Sequence, residues 1–231
     1  MISFVVPAYN EERALPATLA AIHEAARGVM YPYEIVVVDD GSTDRTAEVA
    51  RAAGAKVERV EFRQIARTRN AGAKASQGER LVFVDADTII DEKLLRAAMD
   101  ALEKETVGGG ATPRFDERAP GWARFAMAMV VGPMKMMGLA AGCFIFAWRK
   151  PFEAAGGFDE RHFAGEEIML SWAMKKQGRF VILPERVETS ARKFVGASPW
   201  RTFWMMLKLS LKGFRGVRRR EGNDFWYDGK R

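Results

Sequence analysis

Apolar and polar positions along the first hundred residues follow two alternating periods. Ile2, Phe4, Val5 and Val6 form a short apolar run closed by Pro7, which predicts a buried strand over 2–6. Leu15, Leu19, Ile22 and Ala26 then recur at helical spacing until Gly28, which predicts a helix from near Leu15 with Asn10 as its cap. The pair of patterns repeats three times more. Strands are predicted over 34–38, 56–60 and 81–84, and helices over about 44–53, 65–76 and 91–104, with Ser42 or Thr43 capping the first of these helices. Strand and helix alternating through short connections predict an α/β fold, a mostly parallel, doubly wound sheet with helices on both faces.

The second half is less regular. Residues 108–110, three successive glycines, read as a mobile or tightly turned stretch, and 122–137, rich in Met, Ala and Gly, as core or the lining of an acceptor pocket. Residues 140–148 read as a buried strand, 156–160 as a turn leading to Gly165, Glu166 and Glu167, and 168–176 as a helix. Near the end, Trp200, Phe203, Trp204, Leu207, Leu211 and Phe214 share one helical stripe, with Arg201, Lys208, Lys212 and Arg215 on its flank. That composition suits either an interfacial membrane helix or a terminal helix docked on the core. The chain divides accordingly into 1–104, a regular α/β half; 105–190, a less regular half; and 191–231, a basic amphipathic tail.

Charge sharpens that division. The net charge is +6, but residues 186–220 hold ten Lys or Arg and one acid, so that segment carries +9 and the remainder −3. A polyanionic partner is expected for the tail alone. No nucleic-acid-reading motif accompanies the charge, so no nucleic-acid partner is expected. Cys143 is the only cysteine and the N-terminus has no signal-peptide pattern, which together suggest a cytoplasmic protein, peripheral at the inner face of a membrane if the tail binds lipid.

Candidate chemistry gathers at the predicted strand ends: Tyr9, Asn10 and Glu11 after the first, Asp39 and Asp40 after the second, Asp85 and Asp87 after the fourth. Ligands of doubly wound sheets bind there. If the chain stays extended, Asp85 and Asp87 project to one side. Two hard oxygen ligands without His or Cys suit Mg²⁺ or Mn²⁺ carrying a phosphate. Neither a dinucleotide-binding G-x-G-x-x-G nor a P-loop is present, so nucleotide phosphates would need such a bridging ion. Glu166 and Glu167 at a helix start either complement the helix dipole or supply a general base.

These residues resemble the inverting family-2 glycosyltransferases of GT-A fold. The matching pieces are Val5 through Glu12, Ile35 through Asp44, Ala66 through Gly72, Asp85-Ala86-Asp87, and Gly156 through Glu160 before Gly165-Glu166-Glu167, in family order over about 2–185. The resemblance implies that Pro7, Tyr9 and Glu11 line the nucleotide pocket and that Asp39 or Asp40 accepts from uracil N3–H. It also implies that Arg69 lines base or phosphate, that Asp85 contacts ribose or metal, and that Asp87 holds the metal on the donor diphosphate. The family's usual Glu-Asp is Glu166-Glu167 here, which makes Glu167 the expected base and Glu166 the alternative. The Q-x-x-R-W motif of processive synthases is absent, so transfer of a single sugar is expected, from a UDP-sugar to an acceptor hydroxyl or lipid phosphate. The competing expectations are a sugar-nucleotidyltransferase and a catalytically silent binding module.

Overall fold

A computed structural model describes residues 1–192 and Phe194; the expected amphipathic helix of the tail lies outside the described residues. The elements are β1 (Ile2–Ala8), α1 (Leu15–Val29), β2 (Tyr33–Asp40), α2 (Thr46–Ala52), β3 (Lys56–Val60), α3 (Ile65–Ala75), β4 (Arg80–Val84) and β5 (Thr88–Ile89). They continue with α4 (Glu92–Glu103), β6 (Thr106–Phe115), α5 (Gly121–Met136), β7 (Phe144–Trp148), α6 (Arg149–Ala154), α7 (Glu166–Lys175) and β8 (Arg179–Thr189). One eight-stranded sheet runs in the order β3-β2-β1-β4-β7-β6-β8-β5. β1, β2, β3 and β4 are parallel, as are β6 and β8. β7 runs antiparallel between β4 and β6, and β5 antiparallel on β8.

Alternation along the central strands builds a core on each face. Ile2, Phe4 and Val6 of β1 and Val82 and Val84 of β4 pack under α1 and α4, while Val5, Leu81 and Phe83 pack under α3, α6 and α7. The continuous apolar runs exist because both sides of these strands are covered. β1 extends two residues beyond its expected end. Pro7 is accommodated because the β4 ladder stops at Val5, while pairing with β2 continues to Ala8.

Three expectations are corrected here. The glycines at 108–110 are neither mobile nor a turn; they lie buried inside β6. A Cβ on Gly108 would stand 2.5 Å from the Phe146 carbonyl oxygen, and one on Gly109 2.2 Å from that of Val181. Close approach of neighbouring backbone, not turn geometry, requires glycine there. Asp85 and Asp87 do not share an extended strand, because β4 ends at Val84 and the Thr88 N–H bonds the Asp85 carbonyl at 3.0 Å, closing a turn. α5 is not core: only Ala123 and Val131 are buried, and Phe125 and Met136 are 69% and 90% exposed.

Candidate active site at the carboxyl ends of the strands

From β1 the chain leads through α1 to β2 on one side, while β4 lies on the other, so the order reverses between β1 and β4 and leaves a crevice beyond their carboxyl ends. The loops around it are tied to one another. Ser42 Oγ accepts from the Asn10 N–H at 2.9 Å, Thr46 Oγ1 from that of Glu11 at 2.7 Å, and Asn10 Oδ1 from that of Thr43 at 2.8 Å. Asn10 therefore does not cap α1; it bonds the neighbouring loop instead. Ser42 and Thr43 do not cap α2 either, where Asp44 Oδ1 accepts from the Thr46 N–H.

Asp40 is spent on structure. Its carboxylate accepts from the N–H groups of Phe62, Arg63 and Gln64 at 2.6, 2.8 and 3.2 Å and from the Thr68 hydroxyl at 2.9 Å, holding the entry to α3. Asp39, equally buried, accepts only the Ser42 N–H among its bonds described here, at 3.0 Å. Pro7 is buried in β1, and the Tyr9 ring lies under the Arg63 guanidinium, 3.5 Å from its centroid. Among the described residues, Arg63 Nη1 is buried without a hydrogen-bond partner.

Arg69 is the hub. It is 2% exposed and its guanidinium donates to Asp85 Oδ1 at 2.7 Å, Glu166 Oε1 at 2.8 Å and the Gly142 carbonyl at 2.9 Å. Burial works against its charge, but Asp85 and Glu166 outweigh burial and raise its pKa. Arg69 thus faces two carboxylates. α3 also positions the turn that delivers the acid pair. Asn70 Nδ2 donates to the Phe158 carbonyl and Asn70 Oδ1 accepts the Phe158 N–H, both at 2.9 Å, and Gly157 leaves the room they need.

Gly165, at φ +73°, turns the chain into α7 and sets Glu166 and Glu167 in its first turn. The two acids differ in kind. Glu166 is buried and paired with Arg69. The Glu167 pKa is pushed up to about 8, first by burial and then by the adjacent Glu166 carboxylate. Of the pair, Glu167 has the proton affinity of a base at neutral pH.

A second arginine closes the site from the far end of the sheet. Just past β8, the Arg192 guanidinium bonds Glu11 Oε1 and lies 3.1 Å from Asp87 Oδ2. A cation thus stands against Asp87, and the donors present are hard carboxylate oxygens. Among the described residues no three His, Cys, Asp or Glu side chains cluster as a metal site. The carboxylate oxygens of Asp85 and Asp87 are the hard donor type that Mg²⁺ and Mn²⁺ take. Arg63 and Arg192 are the site residues that sequence reading missed. The charge excess after residue 186 was the one signal pointing toward Arg192.

The sheet order, with its switch-point loops and an acid pair opposite the β4 turn, defines a GT-A-type nucleotide-binding fold. Residues 3–155 match the model of glycosyl transferase family 2, and the chain belongs to that family. It is 32% identical over 163 residues to an undecaprenyl-phosphate 4-deoxy-4-formamido-L-arabinose transferase of Pseudomonas paraeruginosa, covering 65% of this chain and 47% of that protein. It is 34% identical over 116 residues to a 4,4'-diaponeurosporenoate glycosyltransferase of Staphylococcus haemolyticus, covering 47% and 30%. The chain thus spans about half or less of the length of these relatives. Among solved structures, S. aureus TarS in complex with UDP-GlcNAc superposes with a TM-score of 0.64 at 19% identity, covering 82% of this chain and 58% of that one. The Pyrobaculum calidifontis mannosyltransferase PcManGT, in complex with GDP-Man and Mn²⁺, gives 0.64 at 23% identity, covering 81% and 56%. At such identities the likeness establishes the fold.

Proposed function

We propose that residues 1–104 bind a nucleotide-sugar, a UDP-sugar by preference, and that residues 105–190 bring an acceptor to it for one inverting sugar transfer. The observation that carries this reading is the Arg69 bridge, in which one buried guanidinium joins Asp85 of the donor side to Glu166 of the acid pair. Donor and acceptor groups are thereby held at a fixed separation.

Tyr9, Pro7 and Glu11 line the nucleotide, Asp39 accepts from the base, and Arg63 adds a hydrogen-bond donor beside Tyr9. Asp85 and Asp87 would hold Mg²⁺ or Mn²⁺, which when bound spreads the charge developing on the departing diphosphate. Glu167 takes the proton that a singly ionised acceptor phosphate still carries as one of its oxygens attacks the anomeric carbon opposite the diphosphate, which inverts the sugar. Glu166, neutralised by Arg69, positions Glu167. The acceptor is the phosphate of a polyprenyl lipid at the cytoplasmic membrane face, a choice supported by the relatives named for undecaprenyl phosphate.

The test is incubation of the chain with labelled UDP-sugars and undecaprenyl phosphate, with and without Mn²⁺. A lipid-linked sugar of inverted anomeric configuration is expected. Tight nucleotide binding with no transfer from UDP-, GDP- or dTDP-sugars to any acceptor would replace this reading with a silent binding module.

A further inference from the structure

α5 carries two apolar faces, and among the described residues only one is covered. Ala123, Met127, Val131 and Met134 turn toward the protein, with Val131 and Met134 meeting Ala111, Leu139 and Ile182 in a groove against β6. On the opposite side Phe125, Met129, Pro133 and Met136 recur at helical spacing, and Phe125, Met129 and Met136 are 69%, 63% and 90% exposed. Val130 and Met137 widen the stripe at 52% and 57% exposure. A helix packed at a protein surface ordinarily turns charged residues outward. Here Arg124 and Lys135 are the only charges on the helix, and both fall on one flank of the stripe.

We propose that this outer face of α5 seats in the interface of an anionic lipid bilayer. The charge pattern selects that occupant. Between Glu117 and Glu153 the chain has no Asp or Glu; Arg118 and Arg149 pair with Asp116 and Glu153 at its two ends, while Arg124 and Lys135 of the helix have no acid of that stretch to answer them, so the helix surface is cationic. A second copy pairing face to face would bring like charges together without acids to answer them. The segment beyond Phe194 carries the same sign and would meet the same repulsion. Among the described residues no helix is long and apolar enough to cross a membrane, so α5 lies in the interface plane.

Connections inward place this face on the acceptor side of the site. The Lys175 ammonium of α7 donates to the Met137 carbonyl, and Ser171 Oγ accepts from the Ala140 N–H at 3.0 Å. Two residues further on, the Gly142 carbonyl accepts from Arg69. The exposed stripe is thus tied to the helix that carries Glu166 and Glu167. Seated this way, the cleft would take the phosphate of an acceptor whose chain stays in the bilayer. That purpose rests on the lipid-acceptor reading; the membrane contact itself does not.

The test is co-flotation of the full chain with vesicles of phosphatidylglycerol and phosphatidylcholine, against phosphatidylcholine alone. Flotation should require the anionic lipid, weaken with salt, and fall about tenfold or more in Phe125→Glu/Met129→Glu. Melting temperature and UDP affinity of the variant should match the parent chain. A nitroxide at Met129→Cys, in a Cys143→Ser background, should become shielded from a polar nickel chelate when vesicles are added. Flotation untouched by the double variant, or a label that stays open to the chelate, overturns the proposal in favour of the basic segment beyond Phe194. A dimer in solution that the double variant splits gives the face to a second copy and overturns it equally. Vesicle binding without transfer to any polyprenyl phosphate would sink the acceptor reading while leaving this one intact.

Discussion

Two strand ends of this sheet carry pairs of aspartates, and the pairs are held in different ways. At the end of β2, Asp40 receives three backbone N–H groups and a hydroxyl, and Asp39 receives one N–H. After β4, Asp85 and Asp87 are held by guanidinium groups from distant parts of the chain, Arg69 and Arg192. A carboxylate filled by backbone N–H groups, as Asp40 is, fixes the loop it holds and has little left for a ligand. A carboxylate balanced by a side-chain cation keeps its charge, and exchangeable oxygens, where a divalent ion and a diphosphate can use them. The same division separates Glu166, matched to Arg69, from Glu167, whose proton affinity is raised.

The sharpest way to extend the comparison is Glu167→Gln. Transfer should fall by about 100- to 10,000-fold, the range for loss of a general base, with nucleotide binding retained. In the parent chain kcat/KM should rise with pH toward about 8, because only the deprotonated carboxylate accepts a proton. Steady-state kinetics across pH checks both. Arg69→Ala strikes the hub itself and strands two carboxylates, costing about 3–5 kcal/mol in urea unfolding, with Arg69→Lys recovering only part.

Asp40→Ala would break the other strand end. Four donors lose their acceptor, so about 2–4 kcal/mol of stability should go. The folded fraction should still bind nucleotide more tightly with Mn²⁺. A further effect is the pH dependence of stability set by Glu167. The Glu167 pKa of about 8 lies above its ordinary 4.5, so the folded chain holds a proton that the unfolded chain releases between those values. Stability from this group is intact below pH 4.5 and falls as pH rises toward 8. The melting temperature of the parent chain should drop across that window relative to Glu167→Gln.

The first four strands and their helices were legible because each is a local pattern: a short apolar run, then helical spacing, then a turn residue. The β4 aspartates and the acid pair were legible as residue types at strand and helix ends. What escaped was non-local. Gly108 and Gly109 look like turn residues along the chain, and only Phe146 and Val181 of neighbouring strands show why they are glycine. β8 hides behind Arg179, Glu185 and Arg186, whose charges break the apolar run that marks a buried strand. The partners of Arg69 are 16 and 97 residues away and that of Arg192 is 181 away, so no window of sequence could pair them. Asp39 and Asp40 are likewise told apart only by a distant segment: the N–H groups of Phe62, Arg63 and Gln64, leading into α3, commit Asp40.

The measurement closest to the central claim is calorimetric titration of UDP with and without Mn²⁺, into the parent chain and into Asp87→Ala. Binding that Mn²⁺ strengthens is expected in the parent chain, with no such strengthening in the variant, whose stability should shift by no more than about 1 kcal/mol. UDP binding that is indifferent to Mn²⁺, or a Mn²⁺ effect that survives the loss of Asp87, would contradict that claim.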